Sequence, residues 1–199
     1  MNGHKSIISD INNKINKLNS FGFAVIFMIG GNNSSGKSTV SKELLCNCSF
    51  IQSVNLGIIS KMIRCFRKDF LVSKIENFNG DAVQDLFDKI IDFFADHYYE
   101  AGVNTIFEGV QINSRYLSKN KFVIGGVLLN VSKDTAIHRG SFPNTHFKRK
   151  LELSDVVKLE FNEDLKFKVV DNEKKLLQTM NTVYEHLDYL LTNELLKYE

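Results

Sequence analysis

The chain has 199 residues, 43% of them hydrophobic and 24% charged, with a net charge of +2. That length suits one domain, and a balance so close to neutral gives no support to a nucleic-acid or membrane partner. The longest apolar run, Phe23 to Ile29, is seven residues, far short of the roughly 20 needed to cross a bilayer.

Read in chain order, Ile7, Ile8, Ile11, Ile15 and Leu18 recur at helical spacing and predict an amphipathic helix over 5–19, placed outside the core as an extension covering 1–21. Phe23–Ile29 is continuously apolar, as in a strand buried on both faces of a parallel sheet. Gly31-Asn32-Asn33-Ser34-Ser35-Gly36-Lys37-Ser38-Thr39 follows, and a helix from Lys37 to about Cys46. Ser53–Ile59 reads as a second strand, and Lys61–Lys68 as a short basic helix. Val83, Leu86, Phe87, Ile90, Ile91, Phe94 and Tyr98 form one stripe of a long helix over 81–101, with Gly102 as its C-cap. Further strands are predicted at Val103–Gly109, Phe122–Asn130 and Lys166–Val170. A helix begins near Ser132-Lys133-Asp134, and a last one runs from Glu173 to about Leu196.

Strands alternating with helices predict an α/β doubly wound sheet. The sixteen Phe, scattered through apolar runs with no Trp beside them, read as core filling. Cys46, Cys48 and Cys65 have no zinc-ligand spacing and read as free thiols in a reducing cytoplasm. No apolar segment of signal-peptide type opens the sequence.

The glycine-rich segment is a Walker A loop, Gly-x4-Gly-Lys-Ser, standing between a buried strand and a helix. Phosphate is held well by backbone N–H groups around a concave turn at a helix N-terminus. Gly31 and Gly36 allow the turn, Lys37 reaches the terminal phosphates and the Ser38 hydroxyl ligates magnesium. The expected ligands are therefore ATP and Mg2+.

Glu108 ends a predicted central strand, where open α/β sheets gather their ligands. Two roles are open to it: holding the magnesium, or orienting and deprotonating the attacking hydroxyl. The basic stretch His138-Arg139 to His146-Phe147-Lys148-Arg149-Lys150 reads as a lid segment over about 136–150. Arg139 is its first candidate for neutralising a transferring phosphoryl group, and Arg149 its second. Lys61 and Arg64 after the second strand, and Arg115 after Gly109-Val110-Gln111, are candidates for an anionic acceptor.

Taken in order, these segments resemble the small P-loop kinases, most closely the 2-phosphoglycerate kinase group and more distantly the zeta-toxin-type kinases. The resemblance runs over about residues 23–190. It rests on Ile26–Thr39, Ile58-Ile59-Ser60-Lys61-Met62-Ile63-Arg64, Phe107-Glu108-Gly109-Val110-Gln111, Ala136-Ile137-His138-Arg139-Gly140-Ser141-Phe142 and Val169-Val170-Asp171-Asn172. It implies a five-stranded parallel sheet of order 2-3-1-4-5 and ATP-dependent transfer to a hydroxyl of a small, anionic metabolite. It also implies that the Val169–Asn172 turn lies near the adenine. Lys61 stands where the related segment carries an Asp after its Ser or Thr, and Gly140 and Ser141 replace basic residues. Three other readings share the loop: a kinase of nucleotide-sugars or polynucleotide 5′ ends, a regulatory or toxin-like nucleotide binder with weak catalysis, and a P-loop hydrolase. Against the last, Asn120-Lys121-Phe122-Val123 lacks the Asp of the guanine-recognition motif.

Overall fold

The computed structural model describes residues 2–66, 80–112, 121–140, 166–173 and 175–198. In chain order the elements are α1 (Asn2–Ser20), β1 (Ile26–Gly31), α2 (Lys37–Asn47), β2 (Gln52–Asn55), α3 (Leu56–Phe66) and α4 (Gly80–Glu100). After these come β3 (Thr105–Glu108), β4 (Val123–Asn130), α5 (Lys133–Gly140), β5 (Phe167–Asp171) and α6 (Leu176–Leu195). The five strands form one parallel sheet in the order β2-β3-β1-β4-β5, as the resemblance implied.

Successive side chains of a strand point to opposite faces, so β1 divides its apolar residues between two cores. Val25, Phe27 and Ile29 face a cluster with Val40 and Leu44 of α2 and with Val183, Leu187 and Leu191 of α6. Ile26 and Met28 face Ile91 and Ala95 of α4, Phe107 and Leu56. Both faces of the central strand are therefore covered, which explains its unbroken apolar run. The stripe on α4 is carried by Phe87, Ile91 and Ala95; Leu86 lies off it and is exposed. Gly102 ends α4 with φ of 69°. The N–H groups of Gly102 and Val103 return to the carbonyls of Tyr99 and Tyr98 at 3.1 and 2.9 Å, which closes the last turn.

Two expectations change. First, the second strand stops at Asn55, and Leu56-Gly57-Ile58-Ile59 already belongs to α3. The Asn55 side-chain oxygen accepts from the Ile58 N–H at 3.1 Å, an N-cap that starts the helix at Leu56 instead of the predicted Lys61. Second, α1 is part of the core instead of lying outside it. Ile11, Ile15 and Leu18 are at most 1% exposed and join the α2/α6 cluster. Lys14 Nζ reaches Asp188 Oδ1 at 2.6 Å and Thr192 Oγ1 at 2.8 Å on α6. Asn12 holds the α2–β2 connection, donating to the Asn47 carbonyl and accepting from the Ser49 N–H.

Ile15→Ala removes a fully enclosed side chain and is expected to lower the unfolding free energy by roughly 2–5 kcal/mol. Denaturant titration measures this; a loss below about 1 kcal/mol would show α1 to be a dispensable cover.

Candidate functional site

The sheet register sets the site. Asn55 of β2, Glu108 of β3 and Ile29 of β1 stand level across three adjacent strands at their carboxyl ends. Beyond Ile29 the chain turns through Gly31 to Gly36 and enters α2 at Lys37. Gly31 has φ of 133°, and a Cβ there would lie 2.4 Å from the Leu129 carbonyl oxygen of β4. Only glycine lets the loop leave the sheet at that point. Ser34 holds a φ of 60°, a left-handed conformation that costs roughly 1–2 kcal/mol for a residue with a side chain.

Lys37 arches back over this loop. Its Nζ donates to the carbonyls of Gly31 at 3.0 Å and Asn32 at 2.6 Å. Burial pushes its pKa from the usual 10.5 down to about 8, with the negative charge of Glu108 acting in the opposite direction. The next residue, Ser38, donates its hydroxyl proton to Glu108 Oε1 at 3.1 Å. The same oxygen accepts from Asn55 Nδ2 at 2.5 Å. Glu108 is 5% exposed, and its Oε2 is buried with no hydrogen-bond partner among the described residues. Because the Ser38 proton is directed at Glu108, the lone pairs of the Ser38 oxygen stay available to a cation. A hydroxyl and a carboxylate oxygen side by side match the hard oxygen donors that magnesium takes from proteins.

On the far side of the loop stands Asn172, just after β5. Its Nδ2 donates to the Ser35 carbonyl at 2.6 Å, and its Oδ1 accepts from Thr179 Oγ1 at 2.6 Å. Arg139, exposed near the end of α5, donates from Nη2 to the Asn172 carbonyl at 2.7 Å. Gly31 through Thr39, Glu108 and Arg139 are thus gathered around one loop.

The acceptor-side residues fare differently. Lys61 is exposed midway along α3, so it does not follow the strand directly. The residue at the end of β2, beside Glu108, is Asn55. Arg64 also belongs to α3, with its side chain outside the described residues, and Arg115 and Arg149 lie outside them altogether. Of the lid segment, only the part up to Gly140 is described. Asn55, Asn172 and Thr179 were not among the predicted site residues. Asn55 carried one readable signal, a favoured N-cap residue standing before a short apolar run. Asn172 was read only within the turn that the resemblance placed near the adenine, because its contact with Ser35 spans 137 positions, and Thr179 carried no signal.

No protein-family model matches the sequence, and no curated protein matches it. Solved structures share the fold. A gluconokinase from Sinorhizobium meliloti 1021 superimposes with a TM-score of 0.62 at 15% identity, over 89% of this chain and 99% of that one. A sugar kinase from Janibacter sp. HTCC2649 gives 0.57 at 18% identity, over 83% and 95%. Thymidylate kinase from Candida albicans gives 0.56 at 17% identity, over 86% and 93%. The fold is therefore that of the P-loop kinases.

Lys37 yields a test of the site's electrostatics. Its folded pKa, about 8, lies below the unfolded 10.5, so the unfolded chain binds the extra proton between those values. The resulting penalty on folding is complete below about pH 8 and fades as pH rises towards 10.5. The stability of the natural chain relative to Lys37→Met is expected to rise across that window. Unfolding titrations at pH of about 7 and about 10 measure it, and a constant difference would mean that Lys37 is not desolvated.

Proposed function

We propose that the protein transfers the terminal phosphoryl group of ATP, in the presence of magnesium, to a hydroxyl of a small, anionic metabolite, in the manner of 2-phosphoglycerate kinase-like enzymes. The observation that carries this reading is the bond between Ser38 Oγ and Glu108 Oε1, which joins the Walker loop to the only carboxylate on its strand. Fold supports it too, since a gluconokinase and a sugar kinase share the architecture.

In this reading the loop amides, that of Gly36 among them, and the N-terminus of α2 receive the β- and γ-phosphates. Lys37 exchanges its bonds to the Gly31 and Asn32 carbonyls for phosphate oxygens. Ser38 and Glu108 hold the magnesium, which when bound neutralises the charge that builds on the phosphates. Of the two roles open to Glu108, metal holding is the better fit, because its carboxylate lies 3.1 Å from the Ser38 hydroxyl oxygen, a second hard donor for the same cation. Arg139, close to the loop through Asn172, closes over the transferring group. The acceptor lies beyond Glu108, on the side where α3 begins, and its hydroxyl attacks in line with the bond that breaks. Arg64, Arg115, Arg149 and Lys61 supply the positive charge for an anionic acceptor.

A transfer screen with radiolabelled ATP against phosphorylated acids, sugar acids, nucleosides and oligonucleotides tests the function. The expected product is a phosphorylated small acid, and Lys37→Ala is expected to abolish it while leaving the far-UV circular dichroism unchanged. Full turnover by Lys37→Ala would sink the kinase reading.

Glu108→Gln tests the metal role separately. It is expected to raise the magnesium concentration for half-maximal activity by roughly 10- to 100-fold. A slower rate with unaltered magnesium dependence would assign Glu108 to the acceptor hydroxyl instead.

A further inference from the structure

Asn172 is 5% exposed, and each of its four polar groups meets a different part of the fold. Its N–H donates to the Asn130 carbonyl at the end of β4, at 2.9 Å. Its carbonyl accepts from Arg139 on α5, its Oδ1 accepts from Thr179 on α6, and its Nδ2 donates to Ser35 in the Walker loop. Ser35 is fully buried and Thr179 is 1% exposed. The amide orientation is fixed by chemistry: the Ser35 carbonyl can only accept, so it takes the NH2 end, and the Thr179 hydroxyl supplies its proton to the oxygen end.

A trans peptide is planar, with its C=O and N–H pointing opposite ways, and no cis peptide occurs among the described residues. Holding the Ser35 carbonyl towards Asn172 therefore turns the Gly36 N–H away from Asn172, to the other side of the loop. Gly36 itself has φ of 92°, and a Cβ on it would lie 2.5 Å from Asn172 Nδ2. The asparagine amide and the missing side chain of Gly36 fit one another.

We propose that Asn172, locked in orientation by Thr179, is the positioning residue that sets the Ser35–Gly36 peptide so that the Gly36 N–H faces the bound phosphates. The inference rests on the reading of this loop as a triphosphate site and deepens it. Through its carbonyl the same residue also tethers Arg139, so the phosphate loop and the arginine of α5 share one buried anchor. Asn172→Asp keeps the shape but sets a carboxylate oxygen against the Ser35 carbonyl, which repels it. Thr179→Val keeps the volume and removes the proton that fixes the amide.

The peptide can be observed directly. Ser35-Gly36 is the only Ser-Gly step in the sequence, so carbonyl-labelled serine with nitrogen-labelled glycine isolates this one amide in a carbonyl–amide correlation spectrum. Both variants are expected to keep the circular dichroism of the natural chain and to shift this signal. Both are also expected to weaken ATP and inorganic tripolyphosphate by the same factor, about tenfold or more, as for loss of a charge-assisted hydrogen bond. An unmoved signal in both folded variants overturns the proposal. So does a moved signal with tripolyphosphate affinity kept within about twofold. A natural chain that binds neither ATP nor tripolyphosphate defeats the triphosphate reading, whereas a moved signal still upholds Asn172 as the residue that orients the peptide.

Discussion

A carboxylate sealed into the mouth of a parallel sheet is tolerated only where hydrogen-bond donors and positive charge are brought to it. Glu108 is such a group, and two helices begin at the residues that satisfy it. Lys37 and Ser38 are the first two residues of α2. Asn55 is the last residue of β2 and also caps α3. One oxygen of Glu108 thus ties the end of β2 to the start of α2 across the end of β3. The faces agree with this: Ser53, two residues before Asn55, hydrogen-bonds Ser41 of α2 at 2.9 Å. The Walker loop is shaped from the other side by the Asn172 amide, so it is held between a charged contact and a neutral one.

This arrangement has a chemical logic. A loop meant to receive phosphate must keep several N–H groups pointing inward without spending them on internal partners. Most of its carbonyls are therefore occupied by other donors, although the Ser35 N–H does turn back to the Asn32 carbonyl at 3.2 Å. Lys37 takes those of Gly31 and Asn32, and Asn172 takes that of Ser35. The carbonyl of Gly36 receives the N–H groups of Thr39 and Val40 at 3.0 and 3.1 Å, as the first turn of α2.

Much of the fold was legible in the sequence because it is written in local pattern. The run Phe23–Ile29, the long helix ending at Gly102 and the strand ending in Glu108 each carry their own signal, and the strand order came from the resemblance. The misread boundary at Asn55 has a physical cause. A short apolar run such as Leu56 to Ile59 suits a buried strand and a buried helix equally well, and the cap that decides between them is one side-chain bond. The shift carried into the candidate site, since a strand extended to Ile59 placed Lys61 just after its end, whereas the residue that ends β2 beside Glu108 is Asn55. Asn172 was read only as part of a turn near the adenine, because its contact with Ser35 spans 137 positions of sequence.

The pairing of α1 with α6 also bears on how the chain is made. Lys14 and Asp188 are 174 positions apart, so α1 finds its partner only after the residues between them have been made. Until then Ile11, Ile15 and Leu18 have no α6 to cover them, and the core layer on that side of the sheet stays open. Exposed apolar surface on a nascent chain is what chaperones bind and what drives aggregation. Closure of this layer therefore waits for α6, and the nucleotide loop lying between the two helices in sequence gains its support from Asn172 and Thr179 only then.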